Sequence, residues 1–295
     1  MNSIVPPICF PILAALPTPF TLSGELDLQS CERLGLLVEE SGAEGAFIAG
    51  TTGEFVALEP KERGLLWAST MRCIRTKRVI AHVGSASIRQ AIDLLKRAQD
   101  LGISEYAAIT PFFIPQSREA VTDFYSELAG YLGGGRLYVY HFPDRTGQHL
   151  SASHLAELAS IPGIVGAKLS GFSFDDILQL RTSVPEGFEM YTGSDADYPR
   201  VFQSGLTGVV SGVYAAFPNI FDRYASTLLS RGDPVEMREE EQTMHSAISL
   251  MRGDIARIKS VLQFRGVSEG KVRVPSERIT TLTRSEIVDF ATSVR

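Results

Sequence analysis

Short apolar runs alternate along this chain with stretches whose apolar positions recur every three or four residues, as far as about residue 230. The short runs predict buried strands, and the longer stretches predict amphipathic helices. Eight strands are predicted, at Ile8–Leu16, Gly45–Gly50, Arg78–Gly84, Glu105–Pro111, Arg136–Phe142, Ile164–Ser170, Phe188–Gly193 and Gly208–Gly212. The helical stretches include Leu28–Glu40, Pro60–Ile74, Ile88–Leu101, Arg118–Leu132 and Ala152–Ala159.

This alternation predicts an α/β fold in which helices cover a parallel sheet. Eight strand–helix units close into a (β/α)8 TIM barrel more naturally than into an open sheet. An open doubly wound sheet is the alternative, and it would place a glycine fingerprint for dinucleotides after the first strand. The chain has Pro17-Thr18-Pro19-Phe20 there, which favours the barrel.

The strand pattern stops at about residue 230, and helical patterns follow at Pro234–Arg252, Ile255–Arg265 and Arg284–Ser293. Between the last two, Gly266–Pro275 has the Gly and Pro residues typical of a connection. We see no low-complexity linker between the two parts. We therefore predict a catalytic barrel domain over residues 1–230 and a C-terminal helical extension over residues 231–295 that packs on it.

The composition indicates a soluble globular protein, with 295 residues, 44% hydrophobic and 21% charged. A net charge of -6 and a pI near 5.5 argue against a nucleic-acid partner. Three cysteines, Cys9, Cys31 and Cys73, are too few for a disulfide framework and favour a reducing cytoplasm. The segment Met1–Pro7 lacks the features of a signal peptide, and no apolar run is long enough to span a bilayer. We expect a cytoplasmic protein without a membrane partner.

A lysine lies within the sixth predicted strand, Ile164-Val165-Gly166-Ala167-Lys168-Leu169-Ser170. Lysine is rarely fully buried unless it is paired. Burial disfavours a charged amine, and the neutral amine is a nucleophile towards carbonyls. A partly exposed lysine at a strand end is the alternative, and Lys168 alone does not decide between the two.

Active sites of (β/α)8 barrels lie at the carboxyl ends of the strands, and an unusual segment follows the second predicted strand. In Gly50-Thr51-Thr52-Gly53-Glu54, the glycines allow a tight turn. The hydroxyl and N–H groups of this segment suit an anion such as a carboxylate. The alternative is a plain turn in which Gly and Thr serve the backbone.

A second segment of this kind follows the fifth predicted strand. Tyr140 lies near the end of that strand, and the loop Pro143-Asp144-Arg145-Thr146-Gly147 comes after it. A tyrosine at this place can relay protons, and an arginine can bind a carboxylate through two hydrogen bonds. The alternatives are a core tyrosine with a hydrogen-bonded hydroxyl and a solvated arginine on a loop.

Together, the three segments resemble the dihydrodipicolinate synthase/N-acetylneuraminate lyase superfamily of Schiff-base-forming (β/α)8 enzymes. The likeness covers nearly the whole chain, including the helical C-terminus. Tyr140 lies 89 residues after Thr51 and 28 residues before Lys168. Both spacings are similar to those of the family, and the set is far more specific than any one motif.

The resemblance implies that Lys168 forms an imine with the C2 carbonyl of a 2-oxo acid, either pyruvate or a substrate that contains it. It also implies that Thr51 and Thr52 hold the carboxylate. Tyr140 would move protons at the bond that is made or broken.

The resemblance further implies roles for Gly193 and Val210, which match positions that line the pyruvate pocket. It implies a homo-oligomer, either a tetramer or a dimer. A protonated imine is an electron sink, so we expect neither a metal nor another cofactor. The histidines agree with this, because none has the spacing of a zinc site: His82, His141, His149, His154 and His245.

The chain departs from the family after the fourth strand. Phe112 and Phe113 replace a tyrosine pair that is common in the synthase branch, where one tyrosine reaches a neighbouring subunit's site. Phenylalanine cannot pass a proton. This weakens assignment to the synthase branch, although Arg145-Thr146-Gly147 matches it.

Three further departures concern polar residues. His141 replaces an asparagine found in many members, and Lys168-Leu169-Ser170 lacks an acidic residue that often follows the lysine. His82 takes the place of a small residue. It is predicted either to point into the pocket or to be a hydrogen-bonded core residue, and the second is the more usual fate of a histidine on an apolar strand.

We predict a class I, imine-forming lyase or aldolase that acts on a 2-oxo acid, either a 2-oxo-3-deoxy sugar acid or a hydroxy-oxo acid. The alternatives within this mechanism are 4-hydroxy-tetrahydrodipicolinate (dihydrodipicolinate) synthase and a 2-oxo-3-deoxy acid dehydratase. An alternative of another class is a barrel that binds a metabolite without turnover. The presence of Lys168, Tyr140 and both threonines disfavours it.

Overall fold

The computed structural model describes residues 10–276 and 279–294. Eight parallel strands form a closed barrel in chain order, because the first strand pairs with the second and with the eighth. This closure excludes the open sheet. The strands are β1 Phe10–Leu16, β2 Ala43–Ile48, β3 Arg78–His82, β4 Glu105–Ile109, β5 Arg136–His141, β6 Ile164–Leu169, β7 Glu189–Thr192 and β8 Gly208–Ser211.

All eight predicted strands are therefore present. Strand β2 begins at Ala43 rather than at Gly45. Ile8 and Cys9, which the first prediction included, lie outside the described residues, as does the segment Met1–Pro7.

The helices cover the barrel and continue beyond it. Those in the barrel region are α1 Leu28–Glu40, α2 Pro60–Met71, α3 Ile88–Asp100, α4 Arg118–Ala129, α5 Pro143–Thr146, α6 Ala152–Ala159, α7 Phe174–Arg181, α8 Tyr198–Val201, α9 Gly212–Ala216 and α10 Pro218–Leu229. The C-terminal part contains α11 Pro234–Met251, α12 Ile255–Phe264 and α13 Thr281–Ser293. Short 3-10 turns occur at Phe55–Ala57 and Asp195–Asp197.

Short polar side chains set the first turns of several helices. Asp27 accepts a hydrogen bond from the N–H of Ser30 at α1, and Ser87 accepts one from Gln90 at α3. Such caps satisfy N–H groups that have no partner within the helix. Helix α3 then buries one apolar face, which consists of Ala91, Ile92, Leu94, Leu95 and Ala98.

Buried side chains form two clusters, one between the helices and the barrel and one inside the barrel. The inner cluster follows from the alternation of side chains along each strand. It includes Leu13, Phe47, Ile80, Ala107, Ile109, Tyr138, Tyr140, Tyr191 and Val210. The barrel is thus filled by side chains and has no open channel along its axis.

A charged network closes the amino-terminal end of the barrel. Arg78, at the start of β3, donates hydrogen bonds to Glu105, to Glu189 at 3.1 Å and to Glu44. It also reaches the hydroxyls of Tyr138 at 2.6 Å and Tyr191 at 2.8 Å. One guanidinium thereby links the strands β2, β3, β4, β5 and β7.

We expect Arg78→Met to destabilise the fold by about 3 kcal/mol, because it leaves the carboxylates of Glu44, Glu105 and Glu189 close together and poorly solvated. Urea unfolding measures the loss. The matched control is Arg72→Met, which removes an exposed pair with Glu32 and should cost less than about 1 kcal/mol. Equal effects of the two substitutions would contradict the role of the network.

The C-terminal helices pack against the barrel, and α12 contacts both α9 and α13. Residues 266–276 form neither a helix nor a strand, as the sequence predicted for Gly266–Pro275. The division into domains 1–230 and 231–295 stays a prediction. Within the described ranges, every helix is too short or too polar to cross a lipid bilayer.

Candidate active site

Lys168 lies inside the barrel near its carboxyl end and is only 6% exposed. On the neighbouring strand, Tyr140 is its register partner. The Lys168 amine lies 4.3 Å from the ring centroid of Tyr140 and 4.5 Å from that of Phe47. The amine is therefore buried among aromatic rings, and the alternative of an exposed lysine at a strand end is wrong.

Thr51 joins the same cluster from the loop after β2. Its hydroxyl lies 2.9 Å from the hydroxyl of Tyr140, which is also buried. Thr52 lies against the beginning of α9, where a Cβ on Gly212 would approach its hydroxyl oxygen to 3.2 Å. The structure thus brings Thr51, Tyr140 and Lys168 together, while Thr52 faces the end of β8.

Gly193 and Val210 lie at the carboxyl ends of the last two strands: Gly193 directly follows β7, and Val210 belongs to β8. Val210 belongs to the buried cluster that contains Tyr140 and Phe47. The N–H of Gly193 donates a hydrogen bond to the carbonyl of Leu169 at 2.7 Å. A Cβ at Gly193 would lie 2.0 Å from the hydroxyl oxygen of Ser170, so a larger residue there would displace the Ser170 side chain.

Arg145 is exposed on the short helix α5, with its guanidinium carbon 5.7 Å from the ring centroid of Phe142. It lines a cavity of about 390 Å³ whose wall also includes Thr51. Much of the remaining wall is apolar and comes from Phe55, Val56, Ile109, Phe112, Ile255, Val274 and Pro275. Arg145 can therefore meet a substrate that extends outwards from Thr51.

His82 points into the barrel, but both of its ring nitrogens have backbone partners. Nδ1 lies 2.9 Å from the carbonyl oxygen of Ala49, and Nε2 accepts a hydrogen bond from the N–H of Ile109 at 3.2 Å. Burial is the largest cause that holds the pKa of His82 well below its usual range. His82 is a hydrogen-bonded core residue, which confirms the second of its two interpretations.

His141 lies on the opposite face of β5 from Tyr140, because successive side chains of a strand alternate. Its Nε2 accepts a hydrogen bond from the N–H of Leu150 at 3.2 Å, and its ring packs 5.3 Å from that of Phe172. Burial, with smaller effects of His149 and His154, lowers the pKa of His141 to about 3. His141 is therefore neutral near pH 7 and faces away from Lys168.

Phe112 and Phe113 have different surroundings. Phe112 packs edge-on against Phe55, with ring centroids 5.7 Å apart, and lines the cavity. Phe113 is 90% exposed and has a φ of 78°, a backbone conformation that residues with a Cβ rarely adopt. Only Phe112 contacts the site within this chain.

Asp195 and Ser211 form a polar pair that the sequence analysis did not select. Ser211 donates a hydrogen bond to the Asp195 carboxylate. Burial raises the pKa of Asp195 to about 6, against the opposing hydrogen bond from Ser211 and the charge of Lys168. Gly193 lies two positions before Asp195, and Val210 lies directly before Ser211. This closeness to two predicted site residues was the available signal in the sequence.

The raised pKa of Asp195 predicts a pH-dependent effect of Asp195→Asn on stability. Between the usual pKa near 3.8 and the folded value near 6, the folded chain holds a proton that the unfolded chain releases. Wild-type stability therefore falls as pH rises through this window. Asp195→Asn should raise the free energy of unfolding at pH 8 by on the order of 1–3 kcal/mol, and the Tm with it, and should change both little at pH 3.5.

The matched control for this experiment is Asp175→Asn, since Asp175 is an exposed carboxylate on α7. Calorimetric unfolding at pH 3.5 and pH 8 compares both variants with the wild type. A gain for Asp195→Asn that is the same at both pH values would contradict the ionisation argument.

In residues 10–276 and 279–294, no group of three or more His, Cys, Asp or Glu side chains lies close enough together to hold a metal ion. The described cysteines, Cys31 and Cys73, are free.

Comparison with known proteins gives consistent results. A family model described as the dihydrodipicolinate synthetase family matches residues 10–293. A 4-hydroxy-tetrahydrodipicolinate synthase 2 from Halalkalibacterium halodurans is 30% identical over 274 residues, which are 90% of this chain and 91% of the relative. A 4-hydroxy-tetrahydrodipicolinate synthase from Acaryochloris marina is 28% identical over 268 residues, 90% of each chain.

Among solved structures, a sialic acid aldolase from Ruminococcus gnavus superposes with a TM-score of 0.88 at 20% identity. The alignment covers 96% of this chain and 97% of that one. At this identity the likeness concerns the fold, and it supports the closed barrel with its C-terminal helices.

Proposed function

Because the chain belongs to the dihydrodipicolinate synthetase family, we propose that it is a class I lyase whose Lys168 forms an imine with a 2-oxo acid. The observation that carries this proposal is the cluster of the buried Lys168 and Tyr140 with the half-buried Thr51. An amine held 4.3 Å from the Tyr140 ring, with the Tyr140 hydroxyl 2.9 Å from that of Thr51, places a nucleophile beside a proton path.

The first step joins the substrate to the enzyme. The Lys168 nitrogen attacks the C2 carbonyl carbon, and loss of water leaves a protonated imine. The hydroxyls of Thr51 and Thr52, with N–H groups of their loop, hold the neighbouring carboxylate. Arg145 contacts the distal end of the substrate across the cavity, and Gly193 and Val210 border the pyruvyl part.

The second step breaks the bond between C3 and C4. Tyr140 gives its hydroxyl proton to the group that departs as water in the first step, and the resulting phenolate accepts the proton of the C4 hydroxyl, directly or through Thr51, as C4 becomes an aldehyde. The bonding electrons move to the imine nitrogen and leave an enamine, so the reaction needs no metal or other cofactor. Protonation at C3 and hydrolysis of the imine then release pyruvate and restore Lys168.

Within this mechanism, we propose that the substrate is a 2-oxo-3-deoxy sugar acid or a hydroxy-oxo acid. The 4-hydroxy-tetrahydrodipicolinate synthase named in the relatives is the alternative, and dehydration of a 2-oxo-3-deoxy acid is another. Phe112 lines the cavity without a hydroxyl, so the proton path of the synthase branch is absent at this position. This observation favours cleavage over condensation.

We expect kcat/KM for cleavage of a 2-oxo-3-deoxy acid to exceed that for condensation of pyruvate with aspartate semialdehyde, because loss of a proton-relay group costs ~10²–10⁴-fold in rate. Both constants are measured on the same preparation. A larger constant for the semialdehyde would assign the chain to the synthase branch.

Arg145→Lys checks the distal contact, since a two-point carboxylate clamp should not tolerate lysine.

Family members are typically oligomeric, and we propose a dimer or a tetramer for this chain. The exposed Phe113, at 90%, supports an assembly because a large apolar side chain in that conformation gains from a partner. A monomer is the alternative, as in a dihydrodipicolinate synthase variant of similar fold that is described as monomeric. The alternative to a lyase is a barrel that binds a metabolite without turnover. This alternative predicts that the protein binds a ligand but forms no imine with it.

A further inference from the structure

The C-terminal extension reaches the loop after β2 through a buried ion pair. Glu54 follows Thr51 and Thr52 in this loop, and Lys259 of α12 donates a hydrogen bond to its carboxylate. The two side chains are 0% and 1% exposed. The other carboxylate oxygen accepts hydrogen bonds from the N–H groups of Arg273 at 2.7 Å and Val274 at 2.9 Å. All these donors belong to the extension.

Lys259 has a complete set of partners. Its amine also donates to the carbonyl of Lys271 at 2.7 Å and lies 4.3 Å from the ring centroid of Phe20. Burial lowers the pKa of Lys259 to about 8, although the charge and hydrogen bond of Glu54 oppose the shift. Buried ion pairs contribute little net stability compared with apolar residues of similar volume. Stability alone therefore does not account for this pair.

The loop that Glu54 anchors has a demanding backbone. Glu54 has a φ of 55° and Ala49 a φ of 61°, both in the left-handed region that disfavours residues with a Cβ. The N–H of Glu54 donates to the carbonyl of Thr51 at 3.0 Å, and the hydroxyl of Thr18 donates to the carbonyl of Gly53 at 2.6 Å. Surrounding contacts must hold such a conformation in place.

The same part of the extension also borders the cavity. Val274 and Pro275 line it together with Arg145 and Thr51. The anchoring of Glu54 and the shape of the substrate cavity thus depend on one segment of chain. A shift of this segment would move Thr51 relative to Tyr140.

We propose that Glu54 and Lys259 are positioning residues, through which the C-terminal extension holds Thr51 beside Tyr140 and ready for the substrate carboxylate. This inference rests on the proposed function, because that proposal assigns the carboxylate to the threonine loop. It adds that contacts from the C-terminal extension, rather than the turn residues of the loop itself, hold the loop after β2 in its conformation.

The test compares Glu54→Gln with Glu62→Gln. In Glu54→Gln the amide NH2 must face either the Lys259 amine or the two backbone N–H groups, all of which are donors. Glu62 accepts two hydrogen bonds from the Arg273 side chain, so Glu62→Gln weakens the same extension without touching the loop carboxylate. The two substitutions are chemically identical.

Two quantities are measured on the full-length protein. The first is the pyruvate concentration that gives half-maximal trapping by borohydride, and the second is hydrogen exchange of residues 49–57. Glu54→Gln should raise the half-maximal concentration about tenfold, as for one lost charge-assisted hydrogen bond, with full trapping at saturation. It should also speed exchange of the loop. Glu62→Gln should leave both quantities unchanged, even where its Tm falls.

If Glu54→Gln does not fold, the double variant Glu54→Gln/Lys259→Met carries the same expectations, because it leaves no unpaired charge. Unchanged exchange and half-saturation in the Glu54 variant would overturn the inference. Equal changes in the Glu62 variant would also overturn it, since they would reveal a general loss of structure. Absence of trapping in the wild type would instead overturn the proposed function, and the exchange comparison would still decide this inference.

Discussion

Borohydride added in the presence of pyruvate should fix one pyruvate-derived adduct per chain, and that adduct should lie on Lys168. Lys168 is 6% exposed, and its amine lies between the rings of Tyr140 and Phe47. This nucleophilic amine is therefore held in one position, where the carbonyl group of a bound substrate can react with it. Mass spectrometry of the digested protein locates the adduct.

Lys168→Arg should abolish this trapping completely while the fold stays intact, because a guanidinium remains protonated and cannot attack a carbonyl. The matched control is Lys96→Arg on the exposed face of α3, which should trap as the wild type does. Labelling at another lysine, or none at saturating pyruvate, would contradict the imine mechanism. Circular dichroism establishes that each variant is folded.

Tyr140→Phe should lower the turnover of a cleavable 2-oxo acid by ~10²–10⁴-fold, the usual loss for a positioned proton-transfer group. Trapping of pyruvate on Lys168 should decline much less, because the amine and its aromatic surroundings remain. The measurement is kcat beside the rate of borohydride trapping on the same preparation.

Tyr138→Phe is the matched control for this substitution. Tyr138 lies two positions earlier on the same inward face of β5, but its hydroxyl accepts a hydrogen bond from Arg78 at the other end of the barrel. Its loss should affect stability more than turnover. A rate near that of the wild type for Tyr140→Phe would show that another group moves the proton.

The strands could be predicted because a barrel strand buried on both faces is a continuous apolar run. The residues at which individual strands and helices begin or end could not be predicted as well. Strand β2 begins early because Ala43 pairs with Phe10, and nothing in the local composition indicates that pairing. Helix α2 ends at Met71 rather than Ile74, since the chain turns tightly after it while Ile74 still packs inwards.

The residues of the candidate site could be selected because Lys168, Tyr140 and Thr51 together, in their order and spacing, resemble one family, although none of the three is decisive alone. Partners far apart in sequence could not. Glu54 and Lys259 are separated by 205 residues, and either looks like an ordinary surface charge in isolation. For His82 the sequence offered a hydrogen-bonded core residue as one interpretation, but not its partners, which are the backbone groups of Ala49 and Ile109. Such pairings depend on closure of the barrel.

The filled interior of the barrel affects the order in which products leave. Below Lys168, buried rings occupy the axis and the Arg78 network closes the far end, so water and substrate approach from the side of the cavity that Thr51 and Arg145 line. A water molecule that hydrolyses the imine then needs space that the aldehyde has vacated. The aldehyde would depart first and pyruvate last, and the lifetime of the covalent adduct would depend on how quickly this side of the site clears.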